Sequence, residues 1–180
     1  MAIEKFYIKR NDLQPYYTSR LLGSNTTSLM AQATHGDSAV TVASTEGFSV
    51  TGSIVLSDYV SIAYTGKSMT TFTGCTWTGG VAAQVFALGT SIQEVVSITG
   101  ATIRFTLSTV DGVTKKVNRQ LAIITNGSLG DYEYRWQSGD TNTIGTYLAE
   151  FEVTPSASPK FTVPVNERAI VVIVADLDAI

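Results

Sequence analysis

The sequence predicts an all-β protein, and three observations carry this prediction. Short stretches rich in Val, Ile, Thr, Tyr and Phe recur along the 180 residues, separated by Gly, Asp-Gly and Asn-Gly. Several of these stretches alternate apolar and polar residues, as half-buried strands do. No segment of about a dozen residues places apolar side chains at helical spacing opposite a polar face. Helix is therefore expected to be marginal.

The first part of the chain predicts opening strands followed by an insertion. Residues 5–22 indicate one or two strands, with Pro15 at an edge or entry position. Residues 30–92 differ in character, because Thr, Ser, Gly, Ala and Val dominate them. An unstructured loop of that length is rare in a compact protein. We therefore interpret 30–92 as a small inserted β module.

Strand and turn signals within this module support that interpretation. The predicted strands are 39–43, 53–56, 59–64 and 70–73, and the predicted turns are 57–58 and 65–67. A module of this size is expected to have a thin core and to lean on the host domain or on a neighbouring subunit.

The C-terminal part carries the clearest strands. In residues 101–108, Ile103, Phe105 and Leu107 share one face. Asp111-Gly112 then predicts a type I′ turn into a returning strand. The remaining predicted strands are 113–117, 120–125, 132–137, 145–153 and 161–164, and the apolar run 169–175 predicts a strand covered on both faces.

A tyrosine and its neighbours sharpen the fold class. Tyr147 follows Gly145 at the head of an alternating strand, as in a tyrosine corner, where the hydroxyl returns to the chain just upstream. The alternative is an ordinary half-buried strand tyrosine. With Trp136 nearby, the pattern favours an immunoglobulin-like β-sandwich over a barrel. The predicted sandwich comprises residues 1–29 plus 93–180, interrupted by the small β module at 30–92.

Composition excludes several classes of function. Only 15% of the residues are charged, against about a quarter in average chains, and the net charge is −3. This balance disfavours a nucleic-acid binder, which needs a basic face. No apolar run approaches a membrane span of about 18 residues, and charges within the first ten residues argue against a secretory signal. A single cysteine, Cys75, leaves no internal disulfide and favours cytosolic synthesis.

Candidate catalytic residues are few. A Cys-His pair or a serine triad would have to recruit His35, the single histidine, and no orienting or oxyanion group stands at a recognisable spacing from it. His35 and Cys75 alone do not supply the usual zinc ligands. Glu150 and Glu152 share the outward face of one strand, where a solvated surface is the preferred interpretation over acid–base chemistry. We therefore predict no enzymatic activity and no catalytic residue.

Candidate metal and cofactor residues are equally sparse. Asp140 and Asn142 carry oxygen atoms suitable for calcium, but the sequence around them does not provide the remaining ligands at the spacing of a calcium site. Asp176 and Asp178 are interpreted as a polar strand end. The glycines stand where turns need them and form no phosphate-binding motif. No metal site, cofactor site or cofactor is predicted.

Several features favour assembly with other chains. Lys115, Lys116 and Arg119 form a basic cluster that we interpret as protection of a sheet edge. Residues 1–10 and the C-terminal strand are expected at sheet edges, where another chain can add a strand. Trp77 is either the core plug of the module or an exposed interface anchor, and the plug is preferred.

Two parts of the chain resemble phage virion proteins. The frame formed by 6–12, 99–105, 134–141, 145–153, 161–164 and 170–177 resembles the N-terminal domain of the phage baseplate upper protein family. The segments 38–48, 62–67 and 71–75 are similar to small β modules of tail-fibre proteins. The resemblance implies an immunoglobulin-like attachment domain in the virion. The insert departs from the family, and no receptor-binding region follows the sandwich, so direct contact with the host is not expected.

Three functions remain open at this point. The first is a non-catalytic, multi-copy adaptor in the tail, baseplate or neck of a tailed bacteriophage. The second is a capsid decoration protein on the phage head. The third is a carbohydrate-binding module that uses Tyr16, Tyr17, Tyr132 and Tyr134. The expected partners are other virion proteins and copies of itself, without nucleic acid, membrane or small-molecule substrate, and the expected location is the virion after synthesis in the host cytoplasm.

Overall fold

All regular structure in the described part of the chain is β-strand. The computed structural model describes residues 5–57, 60–157, 159–163 and 169–176. The predicted all-β class is therefore confirmed. The strands are β1 (Lys5–Lys9), β2 (Tyr17–Arg20), β3 (Leu22–Ser28), β4 (Ala33–Thr34), β5 (Ala39–Thr41), β6 (Gly52–Ser57), β7 (Val60–Tyr64), β8 (Gly66–Lys67), β9 (Thr71–Thr73), β10 (Thr76–Thr78), β11 (Val85–Phe86), β12 (Ser91–Val95), β13 (Thr102–Thr109), β14 (Lys115–Leu121), β15 (Ile123–Asn126), β16 (Asp131–Tyr134), β17 (Gly145–Thr154), β18 (Phe161–Val163) and β19 (Ala169–Val174).

The chain divides into two compact units. The first unit comprises Met1–Ser19, Thr99–Thr125 and Asp131–Ile180, and the second comprises Arg20–Ile98 and Asn126–Gly130. The first unit is built on a sheet of order β1-β19-β17-β13-β14, in which β18 also pairs with β17. β1 runs parallel to β19, whereas the other neighbours in this sheet are antiparallel. A further sheet has the order β15-β16-β2.

A cluster of aromatic rings lies in the core of the first unit. Phe105 is fully buried, and its ring centroid lies 4.2 Å from that of Tyr134 and 5.7 Å from that of Trp136. Phe151 lies 4.9 Å from Phe105 and stacks on Tyr17 at 5.6 Å. Phe105 and Phe151 come from the sheet that contains β13 and β17, whereas Tyr17 and Tyr134 come from β2 and β16. The rings therefore join the two sheets of this unit, and the predicted inward faces are confirmed.

The tyrosine placed by sequence at the head of β17 makes the predicted contact. The Tyr147 hydroxyl donates a hydrogen bond to the carbonyl oxygen of Thr143 at 3.0 Å, four residues upstream. Tyr147 is buried at 5% exposure, so this bond satisfies a hydroxyl that is removed from water. The return of the hydroxyl to the chain is confirmed.

The hairpin after β13 forms, but its turn differs from the prediction. A type I′ turn needs positive φ at both central residues. Gly112 has φ 74°, whereas Asp111 is not among the residues with positive φ. The loop is longer than two residues, because the N–H of Thr109 donates to the carbonyl of Thr114 at 2.9 Å. β14 therefore starts at Lys115, later than predicted. The predicted strand 120–125 is split between the end of β14 and the beginning of β15.

The C-terminal strand is neither covered on both faces nor at an edge. β19 buries Val171 and Ile173 on one face, while Val174 is 37% exposed. The apolar run 169–175 was predicted to be buried on both faces, and that prediction is wrong. β19 lies between β1 and β17, so its backbone is paired on both sides. Among the described residues, β1 ends this sheet, as predicted, and residues 1–4 of the predicted range 1–10 lie outside the described part.

The second unit has its own hydrophobic core. Its sheets have the orders β10-β7-β6-β12-β3, β5-β9-β8 and β11-β4. Phe72 is fully buried, with its ring 5.3 Å from Phe48 and 4.5 Å from Tyr64. The cluster also contains Leu29, Ala33, Val40, Val42, Ile54, Leu56, Val60, Ile62, Phe86 and Ile92. The expectation of a thin core is therefore wrong.

The second unit extends beyond the predicted module on both sides. β3 pairs with β12, and β12 pairs with β6 inside the module. Residues 20–29 and 93–98, which the sequence assigned to the sandwich, consequently lie in the second unit together with 126–130. The alternation in β3 is carried by Gly, Ser, Asn and Thr, so no apolar signal marked this strand.

The four strands predicted within the module are confirmed, but one turn is not. β5, β6, β7 and β9 lie where 39–43, 53–56, 59–64 and 70–73 were predicted. Gly66 and Lys67, predicted within a turn, form β8 and pair with β9. The turn follows β8, and in it the N–H of Ser68 donates a hydrogen bond to the carbonyl oxygen of Thr71 at 2.8 Å. The predicted turn at 57–58 includes Asp58, which lies outside the described residues.

Candidate functional site

His35 packs beside Trp77. The two rings are 5.3 Å apart, and the Nε2 atom of His35 hydrogen-bonds the carbonyl oxygen of Gly79 at 2.9 Å. The indole N–H of Trp77 donates to the carbonyl of Asp37 at 2.8 Å, and the indole stacks on Phe86. Trp77 is thus half-buried against the core of the second unit, whereas the fully buried plug is Phe72.

Cys75 is not an activated thiol. Its Sγ donates to the carbonyl of Phe72 at 3.5 Å. Burial raises the pKa of the Cys75 thiol to about 11. A nucleophilic cysteine needs a lowered pKa, because the thiolate is the reactive form. The local environment of Cys75 therefore acts against nucleophilic chemistry.

The two glutamates of β17 have different surroundings. Glu152 forms a bidentate ion pair with Arg119, with both nitrogen–oxygen distances at 2.7 Å, and a further contact with Lys160 at 3.3 Å. The hydrogen bonds from Arg119, helped by Lys160, lower the pKa of Glu152. Glu150 lies opposite Thr106 on the neighbouring strand. A low pKa suits a structural ion pair and not a general acid working near neutral pH.

The basic cluster lies on an edge strand, as the sequence indicated. β14 ends the sheet order of the first unit, and it carries Lys115, Lys116 and Arg119. The ammonium group of Lys116 hydrogen-bonds the side-chain oxygens of Asn142 and Thr143. Charged side chains on an exposed edge discourage unwanted strand pairing.

The candidate calcium ligands are engaged in structural hydrogen bonds. Oδ2 of Asp140 accepts from the Tyr134 hydroxyl at 2.7 Å and from the Gln137 N–H at 2.8 Å. Asp176 pairs with Lys9 at 3.6 Å, and Asp178 lies outside the described residues. Among the residues that the structure describes, no three His, Cys, Asp or Glu side chains are grouped to hold a metal ion.

The tyrosines proposed as a carbohydrate platform are mostly internal. Tyr132 and Tyr134 are 3% and 0% exposed, and Tyr17 packs on Phe151. Tyr16 has the Arg135 guanidinium over its ring at 5.0 Å from the centroid. The four rings therefore do not form one exposed platform, and that version of the carbohydrate hypothesis is wrong.

A cleft in the second unit was not anticipated from the sequence. It has a volume of about 520 Å³, and the residues that line it include Ser49, Thr51, Ser53 and Glu94. Glu94 belongs to β12, and the sequence assigned residues 93–95 of this strand to the sandwich. The alternation Ile92, Gln93, Glu94, Val95 marks no recognisable site, so only the pairing of β12 with β3 and β6 reveals this position.

The charge of Glu94 influences a neighbouring core residue. Burial, and secondarily the negative charge of Glu94, raises the pKa of Tyr64 to about 12. The hydroxyl of Tyr64 donates to the carbonyl of Ser49 at 3.0 Å. Tyr64 therefore remains a neutral donor at physiological pH and fixes the backbone at Ser49, which lines the cleft.

The chain matches no known family, no curated protein and no solved structure. Within the described ranges, no helix is long and apolar enough to cross a membrane.

Proposed function

We propose that this protein is a non-catalytic structural protein of a tailed bacteriophage virion, a multi-copy adaptor in the tail, baseplate or neck. The observation that carries the proposal is the sheet edge at β1, where, among the described residues, the sheet order of the first unit ends. Its strand carries the exposed Tyr7, at 57% exposure. An edge strand offers unpaired backbone groups to a strand of another chain.

The first unit is proposed to be an immunoglobulin-like sandwich. Support comes from two sheets joined by aromatic rings, among them that of Trp136. The indole N–H of Trp136 donates a hydrogen bond to the carbonyl oxygen of Pro15 at 3.0 Å. The Tyr147 hydroxyl bond to Thr143 adds the hydrogen bond expected of a tyrosine corner. The resemblance to the baseplate upper protein family points to the same arrangement and to a role in attachment.

The surface composition also suits assembly. The chain is poor in charge, so the polar groups that an interface must desolvate are mostly hydroxyls and amides. Large apolar side chains are exposed in both units, among them Tyr7, Leu121, Val81 and Met69. The partners we propose are other virion proteins and copies of this chain, brought together in the virion after synthesis in the bacterial cytoplasm.

The test is immunogold labelling of intact phage particles with an antibody against this chain. Label confined to the tail tip, baseplate or neck is the expected result. Label spread over the head would replace the adaptor with a capsid decoration protein. Particles without label, under conditions where an antibody to a known virion protein does label, would contradict both versions.

A further inference from the structure

The two ends of the main sheet of the first unit differ in regularity. β1 pairs with β19 residue for residue over Lys5–Lys9, without a shift in register. At the other end, the pairing of β14 with β13 shifts twice, and Arg119 of β14 has a positive φ of 54°. Bulges of this kind bend a strand and turn an edge away from further pairing. Among the described residues, β1 is therefore the end of this sheet that is better suited to accept another strand.

The backbone of β1 directs hydrogen-bonding groups to its unpaired side, where no described strand lies. The N–H of Arg10 donates to the carbonyl oxygen of Val174 at 2.8 Å, so the backbone of Arg10 faces β19. Successive residues of a strand direct their backbone groups to opposite sides. Since Lys5 and Tyr7 are an odd number of residues from Arg10, their N–H and C=O groups point to the unpaired side. A strand laid beside β1 would bond to these groups.

The side chains of β1 determine what an added strand would meet. Lys5, Tyr7 and Lys9 are exposed on the outer face of the sheet. On the inner face Ile8 is buried, and Phe6 is half-buried with its ring against the aromatic cluster of this unit. An added strand would therefore lie beside two ammonium groups on the outer face. Its inner face would extend the apolar surface around Phe6.

Both ammonium groups remain accessible. The side chain of Lys5 is exposed. Lys9 pairs with Asp176 at 3.6 Å, and its side chain is still 51% exposed. Asp176 follows β19, which lies on the opposite side of β1 from an added strand. Carboxylates on an added strand can therefore pair with Lys5 and with the exposed part of Lys9.

A second copy of this chain does not complement the edge. Two β1 strands in full overlap place Lys5 opposite Lys9 when antiparallel, and each lysine opposite its own copy when parallel. Like charges directly opposite one another are destabilising. The residues of an added strand that lie opposite Lys5 and Lys9 are four positions apart, and no two of the 15 Asp and Glu residues of this chain are four positions apart. No segment of the chain offers a carboxylate to each lysine, so the complementary strand belongs to a different protein.

We propose that β1 binds an extended segment of a different virion protein, with two acidic residues four positions apart and apolar residues at the two positions that face inward. The segment adds to the sheet as a strand, and its acidic side chains pair with Lys5 and Lys9. The inference deepens the proposed function and rests on it for the partner's being a virion protein. A short peptide of this pattern makes few hydrogen bonds, so we expect a Kd on the order of 1 mM.

The test is an NMR titration of the full ¹⁵N-labelled chain with three capped peptides. The first is Ser-Glu-Val-Thr-Val-Glu-Ser, and the others carry Gln or Lys in place of both Glu residues. We expect saturable shifts in the amides of 5–9 and 170–174. The Glu peptide should bind about tenfold more tightly than the Gln peptide, because two opposite-charge pairs are gained, and the Lys peptide should bind most weakly.

Three variants localise the effect. Lys5→Glu reverses one exposed charge and should weaken the Glu peptide while strengthening the Lys peptide, a reversal that loss of folding does not produce. Lys115→Glu, exposed on β14, changes the net charge equally and should alter neither affinity. Tyr7→Pro removes an N–H on the unpaired side, where an edge strand tolerates proline, so it should retain the fold and abolish binding of all three peptides.

Several results would overturn the proposal. These are equal binding of the Glu and Lys peptides, shifts confined to amides outside 5–9 and 170–174, and no binding of any peptide. Concentration-dependent shifts of the 5–9 amides without peptide would identify a second copy as the occupant and would also overturn it. Immunogold labelling tests the location in the virion separately, so failure of the strand partner and failure of the proposed function are distinguishable.

Discussion

The two units of this protein differ in the share of aromatic side chains in their cores. In the first unit, aliphatic side chains surround an aromatic cluster in which Phe105 contacts the rings of Tyr134, Trp136 and Phe151. In the second unit the core is mainly Val, Ile and Leu, with a small aromatic group around Phe72. The first unit carries rings on long strands, such as the ten-residue β17. The second unit contains strands as short as the two residues of β4.

This difference explains how each core is held together. A long alternating strand places several large rings on one face, so a few strands bury a large apolar area. Short strands contribute one or two inward side chains each. The second unit must therefore combine residues from many strands, and β-branched side chains suit such positions because they pack closely on the pleated surface.

Phe105→Ala should produce the largest loss of stability in the first unit. Phe105 is fully buried, and its ring contacts those of Tyr17, Tyr134, Trp136 and Phe151. Removing a buried phenylalanine ring costs about 3–5 kcal/mol. Urea denaturation followed by Trp136 fluorescence measures the change, in a Trp77→Phe background that removes the other tryptophan. A loss below about 1 kcal/mol would show that this cluster is not the core.

Phe72→Ala is the matching change in the second unit. Its ring is fully buried and contacts two rings, those of Phe48 and Tyr64, so we expect a loss toward the lower end of about 3–5 kcal/mol. Amide hydrogen exchange across β5–β9 should report the loss, with exchange in β13 and β17 unaffected. Equal acceleration in both sets of strands would contradict separate cores.

Tyr147→Phe tests the hydrogen bond at the head of β17. The variant retains the ring and removes the hydroxyl that donates to Thr143. The expected loss is about 1 kcal/mol, typical of a single neutral hydrogen bond, because the carbonyl of Thr143 loses its partner. Urea denaturation monitored by Trp136 fluorescence measures it. Tyr16→Phe, at a more exposed ring, provides the control and should have a smaller effect.

The reaction rate of the Cys75 thiol reports whether this side chain is buried against the core of the second unit, and the measurement needs no substitution. Its pKa is raised from 9.0 to about 11 by burial, so at pH 8 the native thiolate fraction is about a hundredfold below that of an ordinary thiol. Reaction with a disulfide reagent at pH 8 should be slower by about that factor in the native protein than in urea. Labelling at equal rates would show that Cys75 is not held in this environment.

The first unit could largely be predicted from sequence, and the second could not. The inward face predicted for β13 is confirmed, because Ile103, Phe105 and Leu107 alternate with polar residues along the strand and are buried. β3 carries Gly, Ser, Asn and Thr, so its place in the second unit depends on partners distant in sequence. The prediction that β19 is covered on both faces was wrong because it was based on composition. An apolar run does not distinguish a strand hydrogen-bonded on both sides from a strand buried on both faces.

The cleft at Glu94 was beyond sequence reasoning for the same physical cause. The position of the Glu94 side chain depends on the unequal lengths of β3 and β12 between their paired residues. It also depends on Asn25, which lies 69 residues away in the sequence. In contrast, the presence of a single histidine and a single cysteine could be used from the sequence alone, because it limits any Cys-His pair to His35 and Cys75. Counts of rare residues restrict the possible chemistry, whereas the register of distant strands determines which side chains become neighbours.

The most direct test of the two-core account uses the two tryptophans as separate reporters. Trp136 lies in the aromatic cluster of the first unit, and Trp77 packs against the core of the second. Incorporating 5-fluorotryptophan gives one ¹⁹F signal for each, assigned with Trp77→Phe, and urea titration follows both in one sample. The account predicts that Phe105→Ala lowers the midpoint of the Trp136 signal and leaves that of Trp77 unchanged. Equal shifts of both midpoints would contradict it.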